Sequence, residues 1–412
     1  MAAIAHSFSE QGTRQTVTGV TYTAVLTHAS SNFVAGAKYR IRVTAGIDSA
    51  NTTNLVKARV VHGSTEFAGS EYIKDVLEAG ATRPYSYIWQ TVWTAVSGEA
   101  VALQIASDAA GIVVGADQIQ ITVMRLDADL VENTDWFFAQ YGGDPTTLTL
   151  AGVDGASIMF TPPAGTDWCV ETSARHDVGS TARSYGSRIV SSGTFNESVP
   201  TGFREGENLS EFLLMSQIRV FTALAASSQT FKEQSFNTQS AGDTRTHSSI
   251  FAFNLNKFKE HVSAWTVAAE VLGTTDWADP YQVGVSLTPS VAGDVWIIAQ
   301  ALFDCGNALR EVAQRLQIDN VDSFGVWSAT DYFESSNDAT DETPFGTQTV
   351  ENLSAAAHTF DHEGDCSSVT GAPEVQHRSL CAFTFELAAA AAVLPGPLHV
   401  IYQQSNHRAL SW

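Results

Sequence analysis

The chain lacks any run of about 18 apolar residues, the length a helix needs to cross a bilayer, so no membrane span is expected. The apolar stretch at 388–394 is too short and stops at Pro395-Gly396-Pro397, so it reads as a linker. The opening residues Met1-Ala2-Ala3-Ile4-Ala5-His6 lack the basic-then-apolar order of a secretory signal. Positive charge is scarce: 22 Lys and Arg stand against 44 Asp and Glu, a balance of −22 that repels phosphate backbones and argues against nucleic-acid binding. Cysteine is scarce too. Cys169, Cys305, Cys366 and Cys381 follow no regular spacing, which predicts buried thiols and no disulfide frame, with Cys366 and Cys381 the one pair close enough to suspect. Nucleophile elbow, phosphate-cradling glycine loop and zinc-protease helix are all missing, so no enzyme is expected.

What is present is a repeat. Gly36, Gly165 and Gly293 lie 129 and 128 residues apart, and each is followed at the third position by an aromatic: Tyr39, Trp168, Trp296. This reads as a glycine turn feeding a strand that points a large ring at a core. The phase holds elsewhere. Residues 91–95 match 219–223 and, more weakly, Thr349-Val350; Leu103, Phe231 and Phe360 keep the same spacing. The closing segments 120–126, 250–255 and 380–385 also agree, as do Thr134-Asp135-Trp136 and Thr275-Asp276-Trp277.

Alternating β-branched and aromatic residues with polar turns predict short strands throughout. The expected fold is all-β: three tandem β-sandwich, jelly-roll-like modules. The boundaries expected are 1–130 for an N-terminal arm and the first module, 131–272 for the second, 273–390 for the third and 391–412 for a C-terminal arm. Residues 16–26 read as one strand. The segment 192–208, with three glycines, and the acidic segment 331–341 read as exposed loops. Residues 307–316 have helical propensity, but the repeat phase predicts a strand there. Residues 397–404 read as one more strand outside the pattern.

The best metal candidate is His358 with His362 and Cys366. On a strand the two histidines share a face about 13 Å apart, at about 3.3 Å per residue, so no metal site is expected. His247 and His377 share a repeat phase, which implies a packing or hydrogen-bond role. Trp89, Trp93 and Phe221 read as core. No catalytic, cofactor-binding or metal residue is assigned, and no cofactor is expected.

In its sandwich-like copies, polar turns and acidic surface, the chain resembles structural proteins of tailed-phage virions over about residues 15–390. That resemblance implies a capsid-exterior decoration protein held by its terminal arms (1–15 and 391–412), in many symmetric copies beside other virion proteins, within a virion assembled in the host cytoplasm. The alternatives are a tail accessory or fibre protein, or a glycan-binding surface protein or glycosidase that would meet a host-surface glycan.

Overall fold

The computed structural model describes residues 3–49, 54–75, 85–179, 183–195, 202–206, 211–237, 243–268, 270–272, 283–304, 311–322, 333–334, 343–366 and 374–388. They form strands joined by turns, with only two short 3-10 turns and no α-helix among them. The first ten strands are β1 (His6–Gln11), β2 (Gln15–Thr18), β3 (Thr23–His28), β4 (Lys38–Ser49), β5 (Leu55–His62), β6 (Thr65–Glu66), β7 (Tyr72–Asp75), β8 (Tyr85–Thr94), β9 (Val101–Ser107) and β10 (Val113–Arg125). Next come β11 (Trp136–Thr147), β12 (Val153–Phe160), β13 (Thr166–Asp177), β14 (Arg183–Ser192), β15 (Gly202–Gly206), β16 (Phe212–Leu224), β17 (Gln229–Asn237) and β18 (Thr244–Asn254). The last are β19 (His261–Thr266), β20 (Glu270–Val271), β21 (Val283–Leu287), β22 (Gly293–Asp304), β23 (Glu311–Ile318), β24 (Val321–Asp322), β25 (Phe333–Glu334), β26 (Thr343–Leu353), β27 (His358–Cys366) and β28 (Glu374–Thr384).

One strand order recurs three times. The sheets β1-β10-β4-β8, β11-β18-β13-β16 and β19-β28-β22-β26 each run first, last, third, sixth in their own set of eight principal strands. Facing them are β3-β9-β5-β7, β12-β17-β14-β15 and β21-β27-β23, the last with β24 and β25 beside β23; these run second, seventh, fourth, fifth. All pairings are antiparallel, and the two interleaved orders are those of a jelly roll. Each facing pair encloses its own core. Val43 and Trp89 meet Val60 and Leu103 in the first; Trp168 and Ile250 meet Ile189 and Phe231 in the second; Ile297 and Leu380 meet Leu316 and Phe360 in the third. The phased residues Leu103, Phe231 and Phe360 therefore occupy corresponding places in three cores.

The three sandwiches close on one another in a ring. The fifth strand of the first, β7, pairs with the sixth of the second, β16, at Ile73 and Phe212. In the same relation β15 lies against β26, and β25 against β8. Such a head-to-tail contact, made three times, closes because the rotation returns to its start.

Several expectations change. Gly36 and Gly165 do sit in turns at φ +80° and +73°, each donating its N–H to the sixth strand's end, at Ala95 and Leu224. Gly293 instead lies inside β22, paired with Leu353. Its aromatic is displaced by one: Tyr39 and Trp168 point into their sandwiches, whereas in β22 the inward residue is Val295 and Trp296 faces the other way. A bulge fixes the register independently. Ala45, six residues after Tyr39, lies opposite Gln118 (φ +45°), and Ala301, six after Val295, lies opposite His377 (φ +45°). With side chains alternating across a strand, one residue of slip exchanges the faces.

Of the expected arm 1–15, residues 3–15 are described, and they are no free arm. Ile4 is buried with its N–H on the Phe385 carbonyl, and β1 pairs along β10. Gly19, at φ +92°, divides the single strand expected at 16–26 into β2 and β3, which belong to opposite sheets. β19 pairs with β28, so the third set starts near His261 and the expected boundary at 272/273 lies too late. Strand β15, paired with β14, lies within the expected loop 192–208. β23 supplies the strand expected in 307–316 from Glu311 onward; 305–310 lie outside the described residues. Only Phe333–Glu334 of 331–341 is described, and it is a strand. Trp277, Cys305, residues 397–404 and the 391–412 arm lie outside the described residues.

Candidate functional site at the junction of the three sandwiches

Over their central strands the outward faces of the three first-last-third-sixth sheets are closed to water. They meet each other. Along β4 the residues between core positions are Arg40, Arg42 and Thr44; along β13 they are Cys169, Glu171 and Ser173; along β22 they are Trp296, Ile298 and Gln300. All nine are buried. The junction is graded along its length. At one end Met124, Val220, Phe253, Val350, Phe383 and Trp296 form an apolar cluster that also takes in Ile4, Leu130 and Trp136. At the other, Ser216, Ser249, Gln300 and Ser379 form a polar end, where the Gln300 amide donates to the Ser216 carbonyl. Truncating one large ring in the apolar part would cost about 3–5 kcal/mol.

Between the two ends lies charge. Glu171 accepts from Arg40 Nη2 on one carboxylate oxygen and from Arg42 Nε, at 2.7 Å, on the other. All three side chains are 0% exposed. Burial by itself would raise the Glu171 carboxyl, but Arg42 and Arg40 outweigh it and hold it below the ordinary value. Burial lowers Arg42, opposed by Glu171. The Arg40 guanidinium also lies 4.6 Å from the centre of the Trp296 ring and 5.0 and 5.1 Å from those of Phe253 and Phe251. One charged side chain of the first sandwich is thus gripped by residues of the other two. Gln348 Nε2, 3.2 Å from the Arg42 carbonyl, ties the third sandwich to the first at the same level.

The rim of the apolar end repeats a contact in each seam. His6, Trp136 and His261 open β1, β11 and β19. His6 Nε2 lies 2.9 Å from Asp294 Oδ2, and His261 Nε2 lies 3.3 Å from Asp167 Oδ2. In the third seam Lys38 Nζ sits 5.7 Å over the Trp136 ring. Lys38, Asp167 and Asp294 each immediately precede the inward core residue of the third strand.

A second polar cluster is enclosed in the middle sandwich. Glu233 Oε1 accepts from Ser187 at 2.9 Å and Ser235 at 2.5 Å, and Arg245 Nη1 lies 3.4 Å from its other oxygen. Burial, only partly opposed by Arg245, pushes the Glu233 carboxyl up to about 7. His176 Nε2 is 3.0 Å from Ser235 Oγ, and burial pulls its imidazole down to about 3. A serine, a histidine and an acid therefore meet, but not in catalytic sequence. Glu233 bonds the serine and leaves His176 Nδ1 unoriented, whereas a triad needs its acid on the histidine.

The residues singled out by sequence are placed as follows. His358 bonds Asp319 at 2.7 Å and Ser354 at 3.1 Å; His362 bonds Gln314 at 2.9 Å; Cys366 Sγ is 3.8 Å from the Leu272 carbonyl. The three side chains face separate partners. His247 packs against Gly69 and Gly142, and His377 against Trp265 at 5.2 Å, both buried in the closing strands. Trp89, Trp93 and Phe221 lie in the sandwich cores. Cys169, Cys366 and Cys381 are buried and form no disulfide. Cys169 neighbours Cys381 across a seam; burial first, and then Cys381, push its thiol far up. A concavity of about 510 Å³ at Phe137, Met159, Phe160, Pro162 and Pro163 is lined by no titratable side chain.

Sequence reasoning missed the Arg40, Arg42 and Glu171 cluster. Its signal was there: Arg42 and Glu171 are 129 residues apart, so opposite charges fill one repeat position.

No family model and no curated protein matches the chain. Among solved structures it is similar to a chain of the Sulfolobus turreted icosahedral virus, at 10% identity, 92% coverage of both chains and a TM-score of 0.22. It is also similar to a chain from T=1 particles derived from infectious bursal virus, at 9% identity, 93% and 79% coverage and a TM-score of 0.21. A third is the insecticidal delta-endotoxin Cry8Ea1 of Bacillus thuringiensis, at 10% identity, 61% and 60% coverage and a TM-score of 0.22. At such scores these likenesses carry no inference for this chain.

Proposed function

We propose that the chain is a structural building block of a virus particle, and within that class a capsid-exterior decoration protein of a tailed phage. The observation that carries the reading is the closed ring of three jelly-roll sandwiches. The central strands of their inner sheets are spent on one another, and the Arg40 side chain of the first sandwich lies against aromatic rings of both the second and the third. Modules that acted independently along a surface would keep polar faces between them. A single rigid block with fixed module spacing is what a part repeated on a lattice requires. Three modules, bounded near residues 130 and 259, and no catalytic role belong to the same proposal. Since β1 ties residues 6–11 into the first sandwich, attachment falls to 391–412, pairing with a neighbouring subunit.

Reconstruction of purified particles tests the role. We expect the ring at many symmetry-related positions on the outer surface; finding the chain absent from particles, or only in the infected cell's soluble fraction, refutes it. Deleting 391–412 is expected to leave thermal unfolding near native and to abolish occupancy on particles. Native occupancy of the deleted chain would refute the attachment role.

A further inference from the structure

We propose that the junction holds one small monovalent anion, chloride in the cell, on the free edge of Arg42 beside Arg40. The charge balance comes first. Two guanidiniums and one carboxylate are enclosed together at 0% exposure, leaving one positive charge. Arginine does not shed its proton to escape this, because guanidinium stays protonated in proteins. The Cys169 thiol alongside cannot supply the missing negative charge, since burial holds it protonated.

The donors tell the same story. Arg40 Nε and Nη1 and Arg42 Nη1 and Nη2 are buried and meet no acceptor among the described residues. Arg42 has committed only Nε to Glu171, so the edge carrying Nη1 and Nη2 remains, with two nearly parallel N–H bonds side by side. One large spherical acceptor can bridge both. A water there would satisfy donors but leave the charge, and an uncompensated charge in a packed interior costs several kcal/mol. A divalent anion would merely invert the imbalance, and a bulky one would not enter a close-packed interior. Chloride meets both demands. It would bind the folded ring alone, because Arg40, Arg42 and Glu171 come together only when the first two sandwiches have docked.

The test uses the full chain. Thermal midpoints are measured from 1 to 300 mM chloride, with gluconate holding ionic strength constant. Above its dissociation constant, each tenfold of chloride is expected to raise the folding equilibrium constant up to tenfold. For a chain of this length that is a midpoint shift of about 1–2 °C per tenfold. Crystals grown in bromide are expected to show an anomalous peak within hydrogen-bond distance of Arg42 Nη1 and Nη2. Arg42→Met leaves Arg40 and Glu171 as a neutral pair, and is expected to lose the chloride dependence. If that variant does not fold, the bromide map of the native chain decides by itself. An absent bromide peak, a midpoint indifferent to chloride, or an undiminished chloride dependence in Arg42→Met would each overturn the proposal.

Discussion

Lowering the pH from 7 to 5 should unfold this protein through its own histidines. Five imidazoles, His28, His176, His247, His362 and His377, are buried, and burial is the leading cause that holds each near a pKa of 3 or 4. In the unfolded chain they titrate near 6.5. The sign follows from which state takes up protons. Below 6.5 the unfolded chain binds them and the native one does not, so the stability is whole above 6.5 and is lost as pH falls. At pH 5 each imidazole loses about 2 kcal/mol, and the five together about 10. Glu233 works against this. Its carboxyl is raised to about 7, so the native state gains relative stability between pH 7 and 4.5, worth about 2 kcal/mol at pH 5. The net loss of about 8 kcal/mol is comparable to the whole stability of an ordinary domain. Urea unfolding at pH 7.5, 6.5 and 5.5 measures it, and calorimetry in two buffers of different ionisation heat counts protons. We expect uptake of about 3–4 protons per chain on unfolding at pH 5.5. A urea midpoint that is flat or rises between pH 7 and 5.5 would refute the reasoning.

Trp296→Ala should destabilise the whole ring by about 3–5 kcal/mol, read as one concerted shift in urea unfolding; loss confined to the third sandwich would contradict its place at the junction. Glu171→Ala leaves two guanidiniums buried without a carboxylate and should cost about 3–5 kcal/mol in the same assay. Gly155→Ala puts a methyl group against Glu233, Ser248 and Arg245, which are held by their own hydrogen bonds, and should cost about 1–3 kcal/mol by thermal unfolding. Asp167→Asn removes the carboxylate facing His261, and hydrogen exchange should show faster opening of β19 while β1 is unchanged.

The sequence by itself determined the class of fold. Alternation is a property of each strand, and turn residues punctuate it locally, so β-structure and repetition are written position by position. Leu103, Phe231 and Phe360 lie in the sandwich interiors because each keeps its repeat phase within a strand whose neighbours are also in phase. Direction is another matter. Trp296 keeps the spacing of Tyr39 and Trp168 yet faces the other side, because β22 absorbs its glycine into the strand and the period of two turns a slip of one into a change of face. Residues 1–15 read as a polar arm because the partner of β1, the strand β10, lies more than a hundred residues away.

Only the tertiary structure decided that β4, β13 and β22 are buried on both faces. A strand such as β4, with Tyr39, Ile41 and Val43 on one side and Arg40 and Arg42 on the other, reads locally as half solvated. Its arginines are buried instead: Glu171 of the second sandwich accepts from both, and three aromatic rings from other sandwiches lie against Arg40. That arrangement depends on how three separately encoded sandwiches dock. Docking is fixed by the complementarity of faces far apart in the chain, which no local pattern records.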